Sequence, residues 1–130
     1  MRYLSEDELK LATRFLFLSM AIIVMEKDIQ HIQRGAFKIK EPYTELLGKM
    51  ITEAKNERRD LRKAMADRKI QVVSLDKNDT FSSYLFVCQR REEQRNYFNP
   101  AIRKKVEAII RELMQKVLQS HRRYTASANS

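Results

Sequence analysis

Apolar side chains return every three or four positions through the first part of the chain. Leu11, Phe15, Leu18, Ile22, Met25, Ile29 and Ile32 alternate steps of four and three, the spacing of a helix that packs along its whole length against a neighbour. Ser5 and Glu8 ahead of this run form a capping-box pattern: the serine oxygen accepts from a free amide and the glutamate returns to the serine N–H. The helix is therefore expected to start near residue 6, and Gly35 is placed to end it in a left-handed C-terminal cap. A second apolar row, Leu9, Leu16, Met20 and Ile23, is confined to the N-terminal two thirds of this helix. Burial there must come from more than one side. Either this half is the central helix of the domain, or part of it forms a homodimer interface.

Residues 36–41 read as a short connection, and Pro42 suits the first turn of a second helix, where its missing N–H costs nothing. That helix is expected over about 42–68, with Leu47, Met50, Ile51, Ala54, Leu61 and Met65 as its apolar stripe. The first two helices then make an antiparallel hairpin, in which Gly48 either permits a close crossing or is a mild defect. From Ile70 the period changes. Ile70 to Leu75 and Phe81 to Cys88 are rich in β-branched and aromatic residues and are separated by the turn composition DKNDT, which predicts a β-hairpin at about 70–88. Phe81, Leu85 and Val87 fall on one of its faces and Tyr84, Phe86 and Cys88 on the other, so neither face is simply open to water. Such a hairpin is marginal alone and must lie on the helices or pair with another chain.

Residues 89–98 (QRREEQRNYF) read as a charged connection, in part helical, ending in an aromatic pair. Asn99 and Pro100 supply the cap and first-turn signals of a third helix. Its core face is Ile102, Val106, Ile109, Ile110, Leu113, Met114 and Val117, which carries it to about residue 119, and 121–130 read as a polar tail. The expected fold is α+β and predominantly helical: a long helical hairpin, one two-stranded β-hairpin and a C-terminal helix, in a single domain over 1–120.

With 130 residues, 43% hydrophobic and 33% charged, the chain has the length and balance of one globular domain. Only two glycines and two prolines occur, which favours a few long elements over many turns. Cys88 is the only cysteine, so no intrachain disulfide and no cysteine-rich zinc site can form; a reducing, cytoplasmic setting fits best. The longest apolar run, Phe15 to Met25, is interrupted by Ser19 and falls short of the roughly 20 residues that a membrane span needs. No membrane association is expected.

The net charge of +9 is unevenly shared. Residues 1–50 carry 8 basic and 7 acidic side chains, residues 51–100 carry 11 and 8, and residues 101–130 carry 7 and 2. Laid out at helical spacing, Lys55, Arg59, Arg62 and Lys69 gather on one side of the second helix, and Glu53, Glu57, Asp60 and Asp67 on the other. A basic stripe can track phosphates; the plainer reading is a solvated face laced with ion pairs around Glu57, Arg58 and Arg62. A basic helix followed by a hairpin resembles the architecture of winged-helix DNA-binding domains, although a helix of about 27 residues fits that pattern poorly. Further basic groups are Arg90, Arg91 and Arg95 in the connection, Arg103, Lys104 and Lys105 opening the third helix, and His121, Arg122 and Arg123 at its end. Cations beside free N-terminal amides make a ready anion site, and Tyr97 and Phe98 either stack on bases or serve as packing anchors.

Asp28 and His31 share a helix face, but with one copy of the pair and no converging ligands they read as solvated surface residues, and no metal or cofactor is expected. Cys88, in an apolar strand, reads as a buried structural thiol. No glycine-rich phosphate loop or nucleophile motif occurs, so the expectation is a non-catalytic binding protein. Its expected partner is nucleic acid or another polyanion, bound through Lys55, Arg59, Arg62, Lys69, Arg90, Arg91, Arg95, Arg103, Lys104 and Lys105. The alternative is a dimeric protein-interaction module that recognises an acidic protein.

Overall fold

A computed structural model describes residues 3–128, with side chains as far as residue 120. The first helix, α1 (Glu6–Arg34), opens on the expected capping box: the Glu8 N–H donates to Ser5 Oγ at 3.2 Å and the Ser5 N–H to Glu8 Oε1 at 2.7 Å. Glu6, Asp7 and Glu8 in its first turn and His31 and Arg34 in its last complement the helix dipole. It ends at Gly35, but in extended backbone (φ −83°, ψ −175°) and not in a left-handed cap. Glycine is needed there for space: a Cβ would stand 2.8 Å from the His31 carbonyl oxygen.

The second helix, α2 (Glu41–Arg68), takes Pro42 in its first turn and returns antiparallel along α1. Gly48 makes no close crossing, since a Cβ there would meet nothing within 4 Å. It is a soft point in the helix. Lys69 closes α2 in the left-handed conformation, φ 59°, with its N–H on the Met65 and Ala66 carbonyls.

The sheet has three antiparallel strands where two were expected, in the order β1 (Ile70–Lys77), β2 (Phe81–Cys88), β3 (Arg91–Phe98). The supposed charged connection at 91–98 is an edge strand, paired with β2 from Arg91 opposite Cys88 to Phe98 opposite Phe81. Gln89 and Arg90 make the two-residue turn into it, with Gln89 at φ 57°, a position usually filled by glycine. At the other turn, Asn78 Oδ1 accepts from the Thr80 and Phe81 amides. The Asn99 carboxamide is tied to this turn, donating to the Asn78 carbonyl at 2.9 Å and accepting from Ser82 Oγ at 2.7 Å. Strand β3 thus passes into the third helix, α3 (Asn99–Ala128), without an intervening loop. The helix extends through the expected polar tail as far as Ala128. No glycine or proline follows Pro100, and the poorer helix formers there cost only a few tenths of a kcal/mol each.

The fold is therefore α+β and mostly helical, with two cores that meet on α1. Phe17, Leu18, Ala21, Ile22 and Met25 pack against Met50, Ile51 and Ala54 of α2 and Val106, Ile109, Leu113 and Val117 of α3. Nearer its start, Ala12 joins Leu4, Met65, Ile70, Tyr84, Phe86 and Cys88 beneath the sheet. Leu16, Met20, Tyr97 and Ile102 touch both groups. The second apolar row is internal packing except at Ile23, which is exposed.

One clamp ties the start of α1 to the start of β3. The Arg91 guanidinium grips both Glu8 oxygens at 2.7 and 2.6 Å, and with the Ser5 amide this holds the Glu8 carboxyl at about 2, against an ordinary 4.5. The Cys88 thiol lies 3.4 Å from Glu8 Oε2 and 3.3 Å from the Arg68 carbonyl oxygen. Burial, helped by Glu8, pushes that thiol up and keeps it protonated.

Two predictions follow from local geometry. Gly48→Ala should raise the denaturant midpoint, by about 1 kcal/mol of stability for a helix-interior glycine with open space around it, whereas Gly35→Ala should lower it. The stabilisation from the Glu8 carboxylate is complete above its unfolded value of 4.5 and is lost as the pH falls through about 2. Denaturant midpoints of the wild type and Arg91→Met, taken across this range, should differ most near neutral pH and converge in acid. A difference that does not change with pH would rule out the clamp as its source.

Candidate functional site

The ten basic residues singled out from the sequence do not form one surface. On α2, Lys55 Nζ sits 3.4 Å from Glu26 of α1, Arg59 Nε 3.8 Å from Asp60, and the Arg62 guanidinium 5.6 Å from the centre of the Phe15 ring. Glu57 reaches across to Arg14 of α1 at 2.7 Å, not to its helical neighbours. Lys69 is the left-handed cap of α2 and Arg90 an exposed turn residue. Arg91 is held by Glu8, and Arg95 Nε by Glu93 at 2.7 Å. The remaining three open α3: Lys105 lies 5.7 Å from the centre of the Phe17 ring, while Arg103 and Lys104 have no ion-pair partner among the described residues. His121, Arg122 and Arg123 lie beyond the described side chains.

Two grooves bring four of these cations together in pairs. The first, about 1010 Å³, runs over the N-terminal half of α1 between α2 on one side and β3 and α3 on the other, and contains Arg95 and Lys105. Its floor includes Phe17 and Tyr97, whose rings meet edge to face with centroids 5.3 Å apart. Burial pushes the Tyr97 hydroxyl up, and the ring is a packing anchor, not a free stacking platform. The groove mixes both signs of charge, with Glu6, Asp7 and Glu112 beside Lys10, Arg14, Arg68, Arg95 and Lys105. Arg14 bridges Glu57 of α2 and Glu112 of α3; its hydrogen bond to Glu57 keeps it protonated despite partial burial.

The second groove, about 1080 Å³, lies between α1 and α3 with β2 at one end. Met20 and Val24 of α1, Tyr84 of β2 and the row Ile102, Val106, Ile110 and Met114 of α3 line it. Arg103 and Lys104 stand at its rim, with Lys77, whose ammonium lies 5.8 Å from the centre of the Tyr84 ring, and Arg111, which pairs with Glu107. Ser82 and Asn99, bonded to each other, close the end beside the sheet. An apolar trough edged by cations can hold an amphipathic anion: the floor takes apolar groups out of water and the rim answers the negative charge.

Sequence reasoning found Arg103 and Lys104 but not the groove. Its signal was a third-helix apolar face wider than one packing interface needs. The rows Val106–Ile109–Leu113–Val117 and Ile102–Val106–Ile110–Met114 part at Val106 and then run side by side, one residue apart; the first is buried, and Met114 at the end of the second is exposed. Lys77 was hidden because a bulge between Ser74 and Lys77 shifts its register toward Ser82.

Among the described residues, no cluster of three His, Cys, Asp or Glu side chains could hold a metal ion, and Asp28 and His31 are both exposed on α1. No described helix is long and apolar enough to cross a membrane.

The chain is 34% identical over 107 residues to the "Uncharacterized protein YhjD" of Bacillus subtilis (strain 168), across 82% of this chain and 89% of that one. No solved structure matches. The family model described as "YhjD protein" matches residues 3–118, from just before the Ser5 cap through the groove-lining part of α3, and the chain belongs to the YhjD family.

Proposed function

We propose that this chain is a non-catalytic, dimeric interaction module that holds an acidic segment of a partner protein in the groove between α1 and α3. The observation that carries the reading is the pairing of an apolar floor with Arg103 and Lys104 at its rim, neither of which makes an ion pair among the described residues, the rim carboxylate Glu107 being held by Arg111. The floor row from Ile102 to Met114 repeats every four residues and extends for about 18 Å at the rise of an α-helix. That matches about three turns of a docked amphipathic helix, whose apolar face would meet the floor while its acids face the rim.

The excess positive charge also suits nucleic acid, but a phosphate-tracking surface needs a file of unpaired cations. Lys55, Arg59, Arg91 and Arg95 already have carboxylates, and Arg62 and Lys105 lean on aromatic rings. An apolar floor gives phosphates nothing. The acidic-protein reading therefore leads.

The expected behaviour can be measured by fluorescence anisotropy with a synthetic helical peptide carrying leucines at i, i+3, i+4 and i+7 and glutamates between them. Arg103→Glu with Lys104→Glu should weaken its binding about tenfold, equivalent to 1.4 kcal/mol, and Met114→Glu should weaken it comparably. Arg59→Glu with Arg62→Glu should leave it unchanged. If the wild type ignores the peptide but binds a DNA duplex at about 50 mM salt, with loss on changing Arg59 and Arg62, the nucleic-acid reading replaces this one.

A further inference from the structure

The groove uses one side of the helical layer and the inner face of the sheet is filled by the core, which leaves the sheet's outer face. Strand register, and for Leu75 the alternation that follows Val73, assign to it Gln71, Val73 and Leu75 of β1, Phe81, Ser83, Leu85 and Val87 of β2, and Glu92, Gln94, Asn96 and Phe98 of β3. No helix covers it: Val73 is 42% exposed, Phe81 46% and Phe98 49%, and Leu85 and Val87 remain half-buried beside them. Phe81 and Phe98 face each other at one end, with ring centroids 5.7 Å apart.

Its charge is as informative as its apolarity. One third of the chain is charged and the net charge is +9, yet Glu92 is the only charged residue among these eleven positions. Asp76 lies in the bulge at one corner, and there is no cation. A sheet face open to water is ordinarily polar, and a contiguous apolar patch on a surface marks an interaction site. An acidic partner would find no counter-charge here, and nucleic acid would find only a repelling carboxylate. What the face does match is another surface that is apolar, flat and almost neutral, and among the described residues that is the same face of a second copy. Two molecules that each carry +9 must also meet where their charges are absent if repulsion is not to oppose contact.

We propose that a second copy of this chain docks here, sheet against sheet around a two-fold axis, with Val73, Leu85 and Phe98 of each protomer in the contact. The proposal supplies the interface for the dimeric part of the reading above and does not depend on what the groove holds. Three eight-residue strands offer a footprint of only about 26 by 14 Å from strand rise and spacing, below the size of a stable specific interface and in the range of weak, transient contacts. The dimer is therefore a reversible one, with dissociation in the micromolar range.

Sedimentation equilibrium of the full chain from about 1 to 200 µM, a range that brackets such an affinity, tests this. The average mass should rise from one chain to two, and should not fall on raising the salt from about 0.1 to 0.5 M, because no ion pair crosses the face. Leu85→Lys at its centre and Val73→Lys on the exposed edge strand should each hold the protein at the mass of one chain, with an unchanged helical circular dichroism signal. Gln94→Lys, which adds a charge without touching apolar packing, should shift association to several-fold higher concentration and keeps the test open should Leu85→Lys fail to fold. A wild type that stays single at 200 µM overturns the proposal, as does a dimer indifferent to Val73→Lys and Gln94→Lys. The groove reading fails separately: Arg103→Glu with Lys104→Glu should lose the acidic peptide without altering the mass, and Val73→Lys should lose the dimer while still binding it.

Discussion

Everything in this fold leans on α1 having more apolar surface than one neighbour can cover. Its middle, from Phe17 to Met25, is enclosed by α2 and α3, and its N-terminal end by the sheet and the end of α2. Because apolar burial is roughly additive in area, removing either partner would strand a full side of a 29-residue helix in water. That requirement explains the placement of the sheet better than any strand preference does. Strands β1 to β3 have one apolar inner face, and α1 near Ala12 supplies the surface that it needs. The Glu8–Arg91 clamp sets where along α1 the sheet begins.

The helices were readable because their signals are local. Ser5 and Glu8, the four-and-three spacing from Leu11 to Ile32, and Pro42 each act within one or two turns, and each describes what formed. Strand β3 was hidden for reasons equally physical. Its turn uses Gln89 where glycine would have announced it, and as an edge strand it buries little besides Tyr97. Arg91, Glu93 and Arg95 take their places on the inner side through ion pairs, which no hydrophobic alternation records. Gly35 shows the same limit at another scale: the residue was rightly marked as a helix end, but a close carbonyl, and not a left-handed backbone, is what requires it.

Charge was the least legible property, because a linear count cannot see counter-charges brought from elsewhere. On α2 the helical spacing does gather Lys55, Arg59 and Arg62, yet folding sets Glu26 of α1 beside the first and the Phe15 ring beneath the last. Arg103 and Lys104 looked no different in the sequence from Lys105. They differ in position: Lys105 turns toward Phe17, while the other two border the α1–α3 groove. The informative quantity is which cations folding leaves unanswered, and where.

The junction at Asn99 gives the molecule a mechanical character of its own. With no loop between Phe98 and Asn99, and with the Asn99 side chain pinned to Ser82 and Asn78, α3 is a rod rooted in the sheet. At 30 residues it is about 45 Å long. A tilt of about five degrees at its root would swing the far end by about 4 Å over that length, yet the root cannot turn without straining β3 and the Asn78 turn together. The α1–α3 groove lies along the rooted half of this lever, so a small change of its width is a large displacement of the far end, and the sheet stands at the fulcrum.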